Sequence, residues 1–204
     1  MILPSERIAE LLRKGEEPDA PDPLVITPKP DLKKLETAGS ASIDLHLGTW
    51  FLTLRQSRMT HLEIDSLGSP VQFTKTHYVS FGDQYILHPR SFVLGITLEW
   101  IRLPKAFAAY LIGRSSWGRR GLIIATAAGV HPGYCGCLTL ELSNVGELPM
   151  AIKPGIAICQ LFLHNVEHSE KPQVDVSQFI GMRKPTVGKV ELDDFARRLA
   201  RVNP

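Results

Sequence analysis

Residues suited to chemistry crowd into the stretch 113–144, GRSSWGRRGLIIATAAGVHPGYCGCLTLELSN. Its opening, residues 113–121, interleaves Arg114, Arg119 and Arg120 with Ser115, Ser116 and three glycines. Guanidinium forks and hydroxyls offer charge-assisted hydrogen bonds to phosphate, and glycines admit a ligand close to the backbone. The spacing is not that of a Walker loop, and a solvated basic turn is the competing reading. The end of the stretch alternates as a strand does: Leu138, Leu140 and Leu142 fall on one face, Cys137, Thr139 and Glu141 on the other. Glu141 therefore points away from the leucine core. A carboxylate held there, near several arginines, can serve as a general base; the alternative is a surface glutamate paired with arginine.

The elements that must position these groups read as short strands. Apolar runs bounded by turn residues predict strands over 43–47, 50–55, 78–81, 85–87, 92–98, 107–112, 122–125, 137–142 and 156–163, a pattern for a mainly all-β barrel or sandwich and not for alternating βαβ units. Ser5 is placed to cap a helix running to Lys14, with Ile8, Ala9, Leu11 and Leu12 as its apolar stripe and Gly15 as its stop. Pro18, Pro21, Pro23, Pro28 and Pro30 predict an irregular loop over 18–38. Residues 191–201 read as a C-terminal helix, with Leu192, Phe195 and Leu199 on one face and its acids and arginines ordered as the helix dipole prefers.

Composition narrows the classes. The 204 residues suit one domain plus tails, and 44% hydrophobic with 22% charged residues is ordinary for a globular chain. A net charge of +2 argues against nucleic acid or a membrane surface as partner, so anion binding must be local. No apolar run approaches the roughly eighteen residues of a membrane span, and Cys135, Cys137 and Cys159 form no disulfide framework, so a cytoplasmic protein is expected.

Taken together, GRSSxGRxGL at 113–122, TAxxxxPGYxG at 126–136, LTLELxNxGxLP at 138–149 and PGxxIxQLF at 154–162 resemble the dCTP deaminase branch of the trimeric dUTPase-like fold. Upstream, Ser42-Ile43-Asp44-Leu45-His46-Leu47-Gly48 is similar to the family's S-x-D-L-x-L-G strand. Leu87-His88-Pro89 followed by Phe92-Val93-Leu94-Gly95 resembles its LHPG-x-FVLG segment, with Arg90 where the glycine usually stands. The resemblance implies a mainly all-β, dUTPase-like distorted barrel or jelly-roll with a short N-terminal helix and a C-terminal helix. One domain would span 1–188, with 18–38 as a proline-rich insertion and 189–204 as a helical tail.

It also implies the chemistry. Deaminating cytosine requires water to add at C4 while N3 takes a proton, and a positioned acid/base can shuttle those protons. The resemblance gives this role to Glu141, with Arg119 and Ser115 assisting; Arg119 would help hold the water and favour the charged carboxylate. Arg114, Ser115 and Ser116 would take phosphate oxygens, while Trp117, Gly118, Thr139 and Leu140 would line the nucleotide. The backbone at Thr126 and Ala127 would meet the pyrimidine, and Gln160, whose amide both donates and accepts, would lie near the base. The implied partner is a pyrimidine deoxynucleotide triphosphate bound between subunits of a homotrimer, its Mg2+ carried by the phosphates. A dUTP diphosphatase, a bifunctional enzyme and a catalytically silent nucleotide-binding module are the alternatives.

Zinc is the competing mechanism. His61-Leu62-Glu63 and His168-Ser169-Glu170 match half of the zinc deaminase signature, but no P-C-x-x-C accompanies them, and His131-x3-Cys135-x-Cys137 lacks finger spacing and a fourth ligand, so no metal site is expected. Three further positions depart from the family pattern. His131 stands where an aspartate precedes Pro-Gly, and in the closing segment 177–186, expected to fold over the triphosphate, Gln178 and Met182 replace lysine and glutamine. Arg183 or Lys184 are the candidates to replace the lost phosphate contacts.

Overall fold

A computed structural model of the chain describes residues 1–54, 73–125, 128–167 and 177–189, with residues 195, 198 and 199 beyond them. In chain order the elements are α1 (Ser5–Lys14), β1 (Val25–Thr27), α2 (Leu32–Thr37), β2 (Ile43–His46), β3 (Trp50–Leu54), β4 (Thr74–Tyr78), β5 (Tyr85–Leu87), β6 (Phe92–Arg102), β7 (Phe107–Gly113), α3 (Ser115–Gly118), β8 (Leu122–Ile124), β9 (Gly129–Val130), β10 (Cys135–Asn144), β11 (Met150–Ile152) and β12 (Ala157–Asn165). All described pairings are antiparallel. One sheet runs β4-β3-β6-β10-β8 with β1 added to β6, a second runs β2-β12-β7-β9, and β11 pairs with β5. The mainly all-β fold is as expected; the described strands form these separate sheets and not a closed ring.

The two larger sheets share one core because their strands alternate. Val93, Ile101, Leu140 and Leu142 from one inner face join Ile43, Leu45, Leu111, Leu161 and Leu163 from the other in a single buried cluster, closed at one side by Ile8, Ala9 and Leu12 of α1. Burying each such side chain contributes about 1.5–3 kcal/mol, so the positions that carry the core also fix which residues face outward. Asn144 is the polar exception. Fully buried, it donates through Nδ2 to Leu87 O (2.9 Å) and Leu148 O (2.8 Å) and accepts from Gly146 N (2.9 Å), so every hydrogen-bonding group of its amide is used.

Several local expectations need correction. The segment 18–38 is not an irregular loop: it contains β1, paired with β6, and α2, whose cap Asp31 accepts from Lys34 N at 3.2 Å. Its prolines fall between elements and never inside one, where they would break a ladder or a helical turn. Ser5 is the first residue of α1 and not its cap, a place taken by Pro4; the Ser5 amide donates to Ser40 O at 2.8 Å. Gly15 ends the helix in right-handed geometry, and what requires a glycine is Leu24 O, 2.5 Å from where a Cβ would stand. The strand expected at 78–81 lies at Thr74–Tyr78 instead, an edge strand whose Thr-Lys-Thr-His sequence hides its pattern. Arg90 adopts φ 61°, left-handed geometry that a glycine would enter without steric cost. Of the C-terminal helix, residues 195, 198 and 199 are helical and the rest lies outside the described residues.

Candidate active site

Glu141 sits in the middle of β10, opposite Leu94 of β6, and its carbonyl accepts from Ala125 N at 2.9 Å. Leu140 and Leu142 on either side are completely buried, so Glu141 and Thr139 stand half-exposed on the outer face, as the alternation requires. The alternation fails at one point. A bulge between Cys137 and Thr139 leaves Cys137 and Leu138 both buried, so Cys137 does not share the open face of Glu141. Burial pushes its thiol pKa up.

The outer face at Glu141 forms the floor of a cavity of about 330 Å3, whose walls include Thr139, His131, Tyr134, Phe92 and Phe179. Among the described residues no arginine or lysine lines it. Tyr134 donates its hydroxyl to Cys137 O at 2.8 Å, and burial raises its pKa, so it stays protonated. The Glu141 carboxylate and the His131 imidazole make no hydrogen bond or ion pair with any other described residue. Such a carboxylate keeps its lone pairs available for a proton.

A strap of residues 177–189 crosses this face. Ser177, Phe179, Thr186 and Val187 wall the cavity, while Gly181 N donates to Cys135 O (2.7 Å) and Cys137 N to Met182 O (2.9 Å), pinning the strap to the start of β10. Gly136 permits the crossing: its φ is 145°, and a Cβ would stand 3.3 Å from both Gly181 N and Met182 N. Gln178 clasps Lys189, accepting from Lys189 N at 2.8 Å and donating to Lys189 O at 3.0 Å. Neither Gln178 nor Met182 lines the Glu141 cavity, and the cations expected to replace them lie elsewhere. Lys184 Nζ sits 3.9 Å above the Trp50 ring, and Arg183 lines a separate cavity of about 390 Å3 with Trp50 and Trp100.

The phosphate-binding candidates gather on the other sheet. Arg114 precedes the single turn α3, which Trp117 anchors by donating Nε1 to Ala157 O at 2.8 Å. This leaves Ser115, Ser116, Gly118 and Arg119 exposed, with the Arg119 side chain unpaired among the described residues. Behind the turn, Asp44 of β2 accepts from Arg114 Nη1 at 3.1 Å and from Gln160 Nε2 at 3.1 Å, and Gln160 Nε2 also donates to Ser42 Oγ at 3.3 Å. Strand order dictates this cluster, because β12 lies between β2 and β7 and sets Gln160 opposite both Asp44 and Ile112. Next along β2, His46 Nδ1 donates to the buried Glu99 at 2.6 Å and its backbone N at 2.9 Å, fixing the strand.

The structure thus brings Thr139, Glu141 and His131 together, and separately Arg114 and Gln160; it sets Leu140 in the core, and none of residues 114–119 lines the Glu141 cavity of the same chain. Thr126 and Ala127 lie outside the described residues, as do His61, Glu63, His168 and Glu170. Among the described residues no three of His, Cys, Asp and Glu gather as a metal site. Asp44, Ser42 and Asn144 carry this architecture without having stood out as chemistry. The outward position of Asp44 between the buried Ile43 and Leu45 was the available signal.

The family model for dCTP deaminase-like proteins matches residues 2–166. The chain is 34% identical over 197 residues to the dUMP-forming dCTP deaminase of Dictyoglomus thermophilum, covering 95% of this chain and 96% of that protein. It is 38% identical over 175 residues to the dCTP deaminase of Halorubrum lacusprofundi, covering 84% and 80%. Among solved structures, the 2'-deoxycytidine 5'-triphosphate deaminase of Agrobacterium tumefaciens shares the fold with a TM-score of 0.58 at 21% identity, over 79% of this chain and 46% of that one. With a family match across most of its length and a relative aligned nearly end to end, this chain belongs to the dCTP deaminase-like family.

Proposed function

We propose that the chain deaminates dCTP to dUTP and ammonia, as a hydrolase of a cyclic amidine C–N bond, in a site completed by a second copy within a homotrimer. The observation that carries this reading is the Glu141 carboxylate, half-buried on a strand, facing a nucleotide-sized cavity and unpaired among the described residues. Glu141 takes a proton from water as the oxygen adds to C4, and passes it to N3. The tetrahedral carbon then bears a hydroxyl and an amino group. Glu141 next takes the hydroxyl proton and delivers it to the amino nitrogen, the C4–N bond breaks, and ammonia leaves a uracil carbonyl.

Arg119 and Ser115 of a neighbouring copy complete the site, since neither reaches the Glu141 cavity of its own chain. Arg119 orients the water beside Glu141; Arg114 and Ser116 hold phosphate oxygens. Mg2+ supplies charge neutralisation on the triphosphate and arrives with it; Asp44 already gives its oxygens to Arg114 and Gln160, which suits a metal held by the nucleotide. In this reading residues 1–188 form the catalytic domain and 189–204 a tail.

A second reading continues the reaction, hydrolysing dUTP to dUMP and pyrophosphate in the same site. The dUMP-forming Dictyoglomus relative favours it. One experiment tests both: incubation with dCTP and Mg2+, with ammonia, dUTP, dUMP and pyrophosphate measured for the chain and for Glu141→Gln. Ammonia matched by dUTP, and lowered at least about a hundredfold by the substitution, is the expected result. Ammonia matched by dUMP and pyrophosphate selects the second reading; no ammonia from the unsubstituted chain overturns both.

A further inference from the structure

The amide of Gln160 has two N–H hydrogens and one carbonyl oxygen, and the structure spends both hydrogens inside the chain. Nε2 lies 3.1 Å from Asp44 Oδ1 and 3.3 Å from Ser42 Oγ. Carboxylate oxygens only accept, so the nitrogen must face Asp44; turning the amide over would set its oxygen against Oδ1, acceptor against acceptor. Asp44 is itself held, because its second oxygen accepts from Arg114 Nη1 at 3.1 Å. Gln160 remains partly exposed on the outer face of the sheet, with Oε1 as its one polar atom unspent among the described residues.

We infer that Asp44 and Ser42 are positioning residues that lock Gln160 as an acceptor, so that this face of the site selects a nucleotide by a hydrogen-bond donor. The inference rests on the deaminase reading and deepens it. Cytosine carries a donor amino group at C4, where uracil carries an acceptor oxygen; the sugar carries a hydroxyl donor. Either donor satisfies Oε1. If the donor is the amino group, the locked amide binds substrate and sets oxygen against oxygen in the product. If it is the hydroxyl, the amide reads the sugar. The same Asp44 carboxylate directs one arm of the Arg114 fork inward and leaves its remaining N–H groups for an anion.

The test separates the two donors by binding without turnover. In the Glu141→Gln chain, calorimetric affinities are measured for dCTP, dUTP and 2',3'-dideoxy-CTP, with Mg2+ present. Against a lock, the analogue lacking the recognised donor binds about tenfold or more weakly than dCTP, because the acceptor is left unpaired. Adding Asp44→Asn should collapse that ratio to about twofold, since an asparagine both donates and accepts and satisfies either orientation of Gln160. Ser42→Ala, which frees only one amide hydrogen, should reduce the ratio about threefold and serves if Asp44→Asn fails to fold. Thermal melting accompanies both, and a change of ratio with an unchanged Tm distinguishes orientation from general damage.

A dUTP penalty that Asp44→Asn removes assigns the amino group; a dideoxy-CTP penalty that it removes assigns the hydroxyl. Equal affinities for all three nucleotides, or a ratio that neither substitution moves, overturn the lock while leaving the deaminase reading intact. Absence of dCTP binding, together with no ammonia from the unsubstituted chain, overturns both.

Discussion

Asp44 and Glu141 are both carboxylates on the outer face of a strand whose neighbouring residues are buried, yet their surroundings are opposite. Asp44 accepts from Arg114 and Gln160 and sits among residues that complete one another. Among the described residues, Glu141 faces a cavity with no cation in its walls and has no partner. A saturated carboxylate organises its neighbours but has little capacity left for chemistry. An unsaturated one keeps its lone pairs free to move protons. In the proposed reading the labour is divided across a subunit boundary: the Asp44 face of one copy, with its exposed Arg119, completes the Glu141 face of another.

The sharpest way to break that comparison is to divide the site between chains. Glu141→Gln and Arg119→Ala should each lower ammonia release by about a hundredfold or more. Exchanging subunits between the two inactive proteins should restore measurable activity, because some mixed assemblies pair an intact Glu141 with an intact Arg119. Two active-site losses that never complement on exchange would place the whole site in one chain.

A smaller effect separates floor from lock. Leu140→Ala removes a completely buried side chain beneath the Glu141 face and should cost about 2–5 kcal/mol in denaturant unfolding, without altering the preference among dCTP, dUTP and dideoxy-CTP. That is the reverse of the pattern expected for Asp44→Asn, and a shifted preference in the leucine variant would show that the two faces are not independent.

The smallest effect concerns the strap. Gln178 clasps Lys189 by two exposed hydrogen bonds, each contributing about 0.5–1.5 kcal/mol. Gln178→Ala should therefore raise the KM for dCTP by roughly two- to tenfold and speed proteolytic cleavage within 177–189, leaving Tm nearly unchanged. If neither KM nor cleavage rate moves, the strap does not cover the working site.

Much of this site could be read before any fold was known, and the failures have particular causes. The alternation 138–142 correctly set Glu141 outward, because two leucines beside it had nowhere else to go. It misplaced Cys137, since a bulge is a property of the pairing with β6 and leaves no mark on one strand alone. Counting prolines misjudged 18–38, where spacing mattered: the three residues between Pro23 and Pro28 that form β1 gain their order from β6, and Asp31 supplies the cap for α2. Strands as short as Gly129–Val130 and Met150–Ile152 have too few residues to display a period. Gln160 was expected to both donate and accept, but the fold leaves it the accepting half alone.

The sequence by itself determined the mainly β architecture and the faces of its strands, because the two-residue alternation of side chains follows from covalent geometry and apolar residues have one favourable destination. Which polar groups are spent and which remain free was decided only in three dimensions. Arg114 meets Asp44 across 70 residues of chain and Gln160 meets it across 116, through strands made neighbours by sheet order alone. A hydrogen bond depends on distance and direction between atoms, and the spacing of residues along the chain specifies neither once the chain has folded back on itself.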